Sequence, residues 1–169
     1  MSRAYIVRGL VLVAVLAWSS WPSRSFFATA GGPGPAATSS SSCPVSHPNG
    51  GHPPGQLPDR WYHGTGGLWT ILWPEDVVPI PRSNVQRNGW LYWKFPWYRG
   101  PGSHGTVRIH GRRLDKQAPG LRANAAAGYG DSGFQPSALL FPTVGCWQVT
   151  GRSGRGSLTM VMRVVKARG

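Results

Sequence analysis

The sequence predicts an all-β protein, an antiparallel β-sandwich of about seven short strands. Its 169 residues include 24 glycines and 16 prolines, which favour turns over regular helix. Short apolar or alternating runs recur between these turn residues, a pattern typical of strands. There is no long stretch rich in alanine, leucine, glutamate and lysine, which excludes helix bundles and coiled coils.

The N-terminus has the parts of an export signal. Arg3 and Arg8 give a positively charged start to the uncharged apolar run at residues 9–18. Residues 28–30 (Ala-Thr-Ala) then offer the small side chains that a signal peptidase reads. The apolar run is shorter than the roughly 20 residues of a membrane span. We therefore predict a cleaved signal peptide at residues 1–30, and an uncleaved membrane anchor in the same segment is the alternative.

Residues 31–42 (GGPGPAATSSSS) follow the signal segment. They show no apolar periodicity and cannot bury side chains, so we predict a flexible, disordered spacer. The folded domain is predicted over residues 43–169. Its first part, residues 43–59, is rich in proline, which indicates an extended segment that lies over a surface.

Short apolar or alternating runs predict the strands from residue 67 onward. The prolines in residues 77–81 restrict that strand to a sheet edge. The clearest signal is a C-terminal hairpin, in which residues 146–150 and 157–165 flank a glycine-rich turn. Residues 114–129 contain three consecutive alanines but also several glycines, so we expect at most a helical turn there. The remaining predicted strands are residues 67–73, 89–95, 106–110 and 138–141.

The chain contains two cysteines, Cys43 and Cys146. They are too few for a disulfide-rich miniprotein or for a four-cysteine zinc site. In an exported protein they are expected to form a disulfide, which would tie the proline-rich segment to the C-terminal hairpin. The alternatives are a free, buried Cys146 and an intermolecular bridge through Cys43. A redox role has no C-x-x-C motif to support it.

One block of the sequence resembles a known family. Residues 128–137 (GYGDSGFQPS) run into residues 141–150 (FPTVGCWQVT), and together they resemble the C-terminal signature of small exported bacterial proteins without an assigned activity. Weaker matches occur at residues 43–45, 48–50, 68–69, 94–97 and 111–115. The resemblance covers about residues 43–166. It implies export, an immunoglobulin-like β-sandwich and a Cys43–Cys146 disulfide, and it implies no enzyme.

An aromatic run over residues 90–98 is the most unusual feature of the sequence. Side chains alternate between the two faces of a strand, so one set is expected in the core. The core candidates are Leu91, Trp93, Phe95, Trp97 and, from the hairpin, Trp147. The candidate ligand contacts are Trp90, Tyr92 and Tyr98, which would form a platform for sugar rings. The alternative is that residues 43–59 cover this second face as well.

Basic residues form a second candidate surface, because the net charge is +13. The candidates for contact with an anionic surface are Arg108, Arg112 and Arg113. An exported cation of this strength is expected to be attracted to anionic cell-wall polymers, glycans or phospholipid headgroups. Nucleic acid is expected to bind only without specificity, because no recognition motif is present. The alternative is a basic surface that binds no specific partner. The sequence identifies no protein partner.

The sequence contains no catalytic signature. Its five histidines show no metal-ligand spacing, and there is no G-x-S-x-G nucleophile elbow. We therefore predict no catalytic residues, no cofactor and no metal site. The predicted function is a non-catalytic accessory or binding module at the cell envelope. The alternatives are a carbohydrate-binding module, an electrostatic envelope adhesin and a secreted hydrolase.

Overall fold

The structure, a computed structural model, describes residues 42–73 and 77–168. These residues form nine strands and a short 3-10 helix at Arg82–Asn84. The predicted signal segment and spacer residues 31–41 lie outside the described residues. The strands are β1 (Tyr62–Thr65), β2 (Leu68–Ile71), β3 (Val77–Ile80), β4 (Leu91–Arg99), β5 (Arg108–Arg113), β6 (Arg122–Ala125), β7 (Gly133–Phe141), β8 (Gly145–Ser153) and β9 (Gly156–Lys166).

The strands form two sheets, which confirms the predicted all-β class. One sheet has five strands in the order β1-β2-β4-β7-β6, and the other has four in the order β3-β9-β8-β5. Every strand pair is antiparallel except β3 and β9, which run parallel. The four-stranded sheet is therefore mixed, whereas the sequence predicted antiparallel pairing throughout. As predicted, β3 with its proline lies at a sheet edge.

Two strands have no counterpart among the predicted ones. β1 (YHGT) has no apolar run, and β6 (RANA) lies where at most a helical turn was expected. β6 forms because it pairs with β7 over four residues, with its small alanines turned inward and its polar side chains outward. Both strands depend on a neighbouring strand, and local sequence preference does not reveal such pairing.

Two prolines lie inside central strands and explain why the predicted strands were too short. Pro96 in β4 lies directly opposite Pro136 in β7. Each proline lies just beyond the residues that pair with the outer neighbour, since the β2–β4 pairing ends at Tyr98 and the β6–β7 pairing ends at Ser137. The missing N–H groups therefore interrupt neither of these ladders. Consequently β7 begins at Gly133, ahead of the predicted run at 138–141.

The core lies between the two sheets and is rich in large aromatic residues. Of the predicted core residues, Leu91, Phe95, Trp97 and Trp147 are at most 1% exposed. Trp93 is half-buried and packs against the margin of the core. The indole N–H of Trp97 donates to Ser137 Oγ at 3.1 Å, and that hydroxyl donates to the Phe95 carbonyl at 3.1 Å. The polar atoms of these buried groups are thus paired inside the core.

The segment before β1 is bound to both sheets. Cys43 forms a disulfide with Cys146 in β8, which confirms the predicted pairing. The Ser46 N–H donates to the Val161 carbonyl at 2.8 Å, so the segment continues along the edge of β9. Asn49 then bonds to the backbone of Gly64 through both ends of its side-chain amide. No helix in the described ranges is long and apolar enough to span a membrane.

Candidate functional site

The outer face of the four-stranded sheet carries a group of basic side chains, which we call the basic face. Its strands β5, β8 and β9 each turn alternate residues outward, as their burial patterns show. Five outward residues are exposed and carry a guanidinium or an imidazole. These residues are Arg108, His110, Arg112, Arg152 and Arg163.

The strand register brings the basic side chains together. Arg108 lies directly opposite Arg152, and Arg112 lies opposite Gln148. Residues that face each other across an antiparallel pair have Cα atoms about 5 Å apart. The Arg112 Nε–H donates to Gln148 Oε1 at 2.9 Å, which orients that guanidinium along the sheet. Arg163 lies on the far strand, opposite Cys146.

The basic face has no acidic counterpart on its own sheet. The four strands β3, β5, β8 and β9 contain no aspartate or glutamate. The acidic residues in the described ranges are Asp59, which precedes β1, and Asp115 and Asp131, which lie in loops between strands. No carboxylate of this sheet neutralises the positive charge of the basic face, so this charge can attract an anionic partner.

Arg113 was a sequence-predicted contact, but the structure places it apart from the basic face. It occupies an inward-turned position of β5, where its Nε pairs with Asp115 Oδ1 at 2.6 Å and its Nη2 with Oδ2 at 3.1 Å. The Arg113 hydrogen bond lowers the pKa of Asp115 to about 2. The same hydrogen bond raises the pKa of Arg113. This guanidinium is thus neutralised internally and stabilises the loop after β5.

Two grooves lie at the ends of the basic face. One, of about 620 Å³, is bordered by Arg108 and Arg152. The other, of about 590 Å³, lies beside the disulfide and is bordered by Lys116, Arg163 and Lys166 and by the Arg113–Asp115 ion pair. Basic side chains therefore border both grooves, with Arg112 on the face between them. A long anionic ligand would meet positive charge along this whole surface.

The predicted aromatic contacts are all half-buried. The Arg122 guanidinium lies over the Trp90 ring at 4.5 Å from the centroid, which covers one face of that indole. Tyr98 packs between Tyr62 and Phe134, with centroid distances of 5.5 and 5.4 Å. Tyr92 lies opposite Leu140 on the outer face of the five-stranded sheet. These three residues are spread along β4 and do not form one open platform.

Among the residues that the structure describes, the most exposed aromatic rings lie elsewhere, and the sequence interpretation missed them. Phe134 is 42% exposed and Tyr129 is 43% exposed, and their rings are 5.9 Å apart. Phe134 also borders a largely aromatic groove of about 350 Å³, together with Trp73 and Trp93. The sequence signal was the GYGDSGF block, whose turn residues and aromatics indicate a loop that exposes its rings.

A buried arginine holds the loop that leads into this aromatic pair. Arg99, only 2% exposed, donates five hydrogen bonds to backbone carbonyls. Four of these carbonyls belong to the GYGDSG loop and one to Gly105. Burial lowers the pKa of Arg99, and the nearby Asp131 opposes that shift. The guanidinium therefore joins the loop between β6 and β7 to the loop that connects β4 with β5 of the other sheet.

Within the described ranges, no group of three or more histidine, cysteine, aspartate or glutamate side chains could hold a metal ion. Comparisons with family models, with curated proteins and with solved structures found no match to this chain. The chemistry of the site is therefore argued from its residues alone. That chemistry is positive charge on one outer sheet face and exposed aromatic rings on the other.

Proposed function

We propose that this protein is an exported, non-catalytic module that binds anionic polymers of the bacterial cell envelope through the basic face. The observation that carries the proposal is the placement of four arginines and a histidine on the outer face of a sheet without acidic residues. An uncompensated positive surface attracts polyanions and raises their local concentration. Cell-wall polymers and phospholipid headgroups are the polyanions that an exported protein meets.

Export and the family are part of the same proposal. The sequence pattern of residues 1–30 supports export, and the Cys43–Cys146 disulfide is consistent with an oxidising compartment. We also propose that the sandwich is immunoglobulin-like and that the chain belongs to the family of small exported bacterial proteins that it resembles. The division into sheets of five and four strands supports the immunoglobulin-like assignment.

The test is co-sedimentation of the purified chain with native cell-wall material at low and high salt. Binding is expected at low salt and loss of binding at high salt, because exposed charges are screened. A variant with alanine at Arg108, Arg112, Arg152 and Arg163 should lose binding at low salt too. The matched control removes the same charge elsewhere, at the exposed residues Arg60, Arg82, Arg87 and Arg155. Equal loss in both variants would reject the basic face as the binding surface.

A neutral glycan is the second candidate ligand, and the aromatic groove favours it. Trp73, Trp93 and Phe134 line this groove, with Asn84 and Lys94 as polar neighbours. Aromatic rings with nearby hydrogen-bond donors suit the apolar faces and hydroxyls of sugars. This candidate predicts wall binding that survives high salt and is lost in Phe134→Ala or Trp73→Ala, since both side chains line the groove. Salt-sensitive binding that both variants retain would reject it.

A further inference from the structure

A groove of about 620 Å³ lies at one end of the basic face, where β5 begins and β8 ends. Arg108 and Arg152 face each other there in the strand register. His110 lies two residues along β5 and turns to the same side. The groove is lined by His104, Gly105, Thr106, Arg108, His110, Arg152, Ser153 and Gly154.

The two arginines of this groove form an unfavourable pair in the absence of a ligand. Like charges directly opposite each other on neighbouring strands destabilise the pairing. None of the residues that line the groove is acidic. Within residues 42–73 and 77–168, neither guanidinium has an ion pair or a side-chain hydrogen-bond partner. An anion between the two side chains would relieve this repulsion.

The wall of the groove is fixed before any ligand arrives. Three buried polar side chains hold residues 104–107 in place. Ser153 Oγ donates to two carbonyls of this segment, at 3.0 and 3.2 Å. Arg99 Nη1 donates to the Gly105 carbonyl at 2.8 Å, and Gln135 Oε1 accepts a backbone N–H of the segment at 2.9 Å. A preformed wall lowers the ordering cost of binding.

We propose that Arg108, Arg152 and His110 form a binding site for a single phosphodiester group, which we call the seat. The inference rests on the proposed function and names the chemical group that the basic face recognises. A guanidinium presents a planar fork of donors that matches two phosphate oxygens. The lone pairs of a carboxylate lie in one plane with its two oxygens and suit a coplanar fork, whereas the two non-bridging oxygens of a phosphodiester accept hydrogen bonds from several directions around a tetrahedral phosphorus. Two opposed forks therefore favour phosphate over carboxylate.

The phosphodiester has two sources at an envelope, a soluble polymer of glycerol phosphate and a phospholipid headgroup. The full chain is titrated with each probe at low salt. The probes are a soluble glycerol-phosphate polymer, phosphatidylglycerol vesicles, and a polycarboxylate of similar charge density. Binding of the polymer but not the vesicles assigns the polymer as the source, and the reverse assigns the lipid. Either result supports a phosphodiester seat if the variants below behave as expected.

Two double variants remove the same charge from the same face. Arg108→Ala with Arg152→Ala removes the seat, and Arg112→Ala with Arg163→Ala is the matched control. All four side chains are exposed, so both variants should fold, which urea unfolding verifies. We expect the seat variant to weaken phosphodiester binding at least tenfold, and the control, which removes two charges from the same basic face, to weaken it by a factor at least three times smaller. The polycarboxylate should bind more weakly and lose similar affinity in both variants.

The outcomes distinguish a failure of the seat from a failure of the proposed function. Equal weakening in the two double variants would overturn the seat and leave a diffuse basic face as the binding surface. A polycarboxylate that binds as tightly as the phosphate probes, with the same loss in the seat variant, would overturn the assignment to phosphate. If the unmodified chain binds none of the probes at low salt, both the seat and the proposed function fail.

Discussion

The buried Arg99 offers the sharpest test of how the connecting loops are held. Replacing it with methionine keeps a similar length and apolar stem but removes every donor. Each hydrogen bond from a charged group contributes roughly 1.5–3 kcal/mol. The contributions of the five bonds do not simply add. Four of the acceptor carbonyls lie in an exposed loop, and they can form hydrogen bonds with water when the loop is no longer held by Arg99. We expect Arg99→Met to lower the free energy of unfolding by about 3–4 kcal/mol, roughly two such bonds.

Urea unfolding of the oxidised protein, followed by tryptophan fluorescence, measures this loss. Arg99→Lys provides a graded comparison, since an ammonium has three donors and lacks the planar fork. It should fall between the wild type and Arg99→Met. Arg87→Met removes the same charge at an exposed position and should change stability by less than about 0.5 kcal/mol. A loss below about 1 kcal/mol in Arg99→Met would refute the role of these five bonds.

Three further predictions concern the disulfide, an ion pair and a packed glycine. The Cys43–Cys146 bridge spans a sequence separation of 103 residues, so its reduction should cost roughly 4–5 kcal/mol in urea unfolding; an unchanged midpoint would contradict this. The pKa of Asp115 is about 2 in the folded protein, below the value in the unfolded chain. The ionised carboxylate therefore stabilises the fold fully above about pH 4, and this stabilisation disappears as the pH falls through about 2. Asp115→Asn should therefore be about 1–2 kcal/mol less stable at neutral pH, with the gap closing in acid, and a constant gap would be inconsistent with the ion pair. In Gly151→Ala, the new methyl group would lie 2.5 Å from the buried Trp97 ring, which should lower the free energy of unfolding by about 1–3 kcal/mol. Thermal unfolding measures this loss, and an unchanged stability would show that the Trp97 ring can shift to make room for the methyl group.

The hairpin and the core were predictable because their signals are local. In the second strand of the hairpin, Leu158, Met160, Met162 and Val164 share one side, and a glycine-rich turn precedes them. The structure extends both predicted strands at their ends as β8 and β9. Leu91 and the aromatic residues Phe95 and Trp97 of β4 lie in the core, as the alternation of side chains along that strand predicted. Trp93 lies nearer the margin of the core, where its ring packs edge-on against Trp73 at a centroid distance of 5.3 Å.

The candidate site was only partly predictable because it depends on strand register. The alternation in β5 separates Arg108 and Arg112 from Arg113, and this could be derived from the sequence. The pairing of Arg108 with Arg152 could not, since it depends on which residues of β5 and β8 face each other. Similarly, no local pattern shows that the GYGDSG loop closes around Arg99, more than 25 residues earlier in the chain.

The salt dependence of affinity for a soluble glycerol-phosphate polymer tests the central claim most directly. Displacement of counterions makes the logarithm of the association constant fall linearly with the logarithm of salt concentration. The basic face predicts a steep slope in the unmodified chain and a much shallower one after alanine replaces Arg108, Arg112, Arg152 and Arg163. The same slope in both proteins, or affinity that does not respond to salt, would contradict polyanion binding through this face.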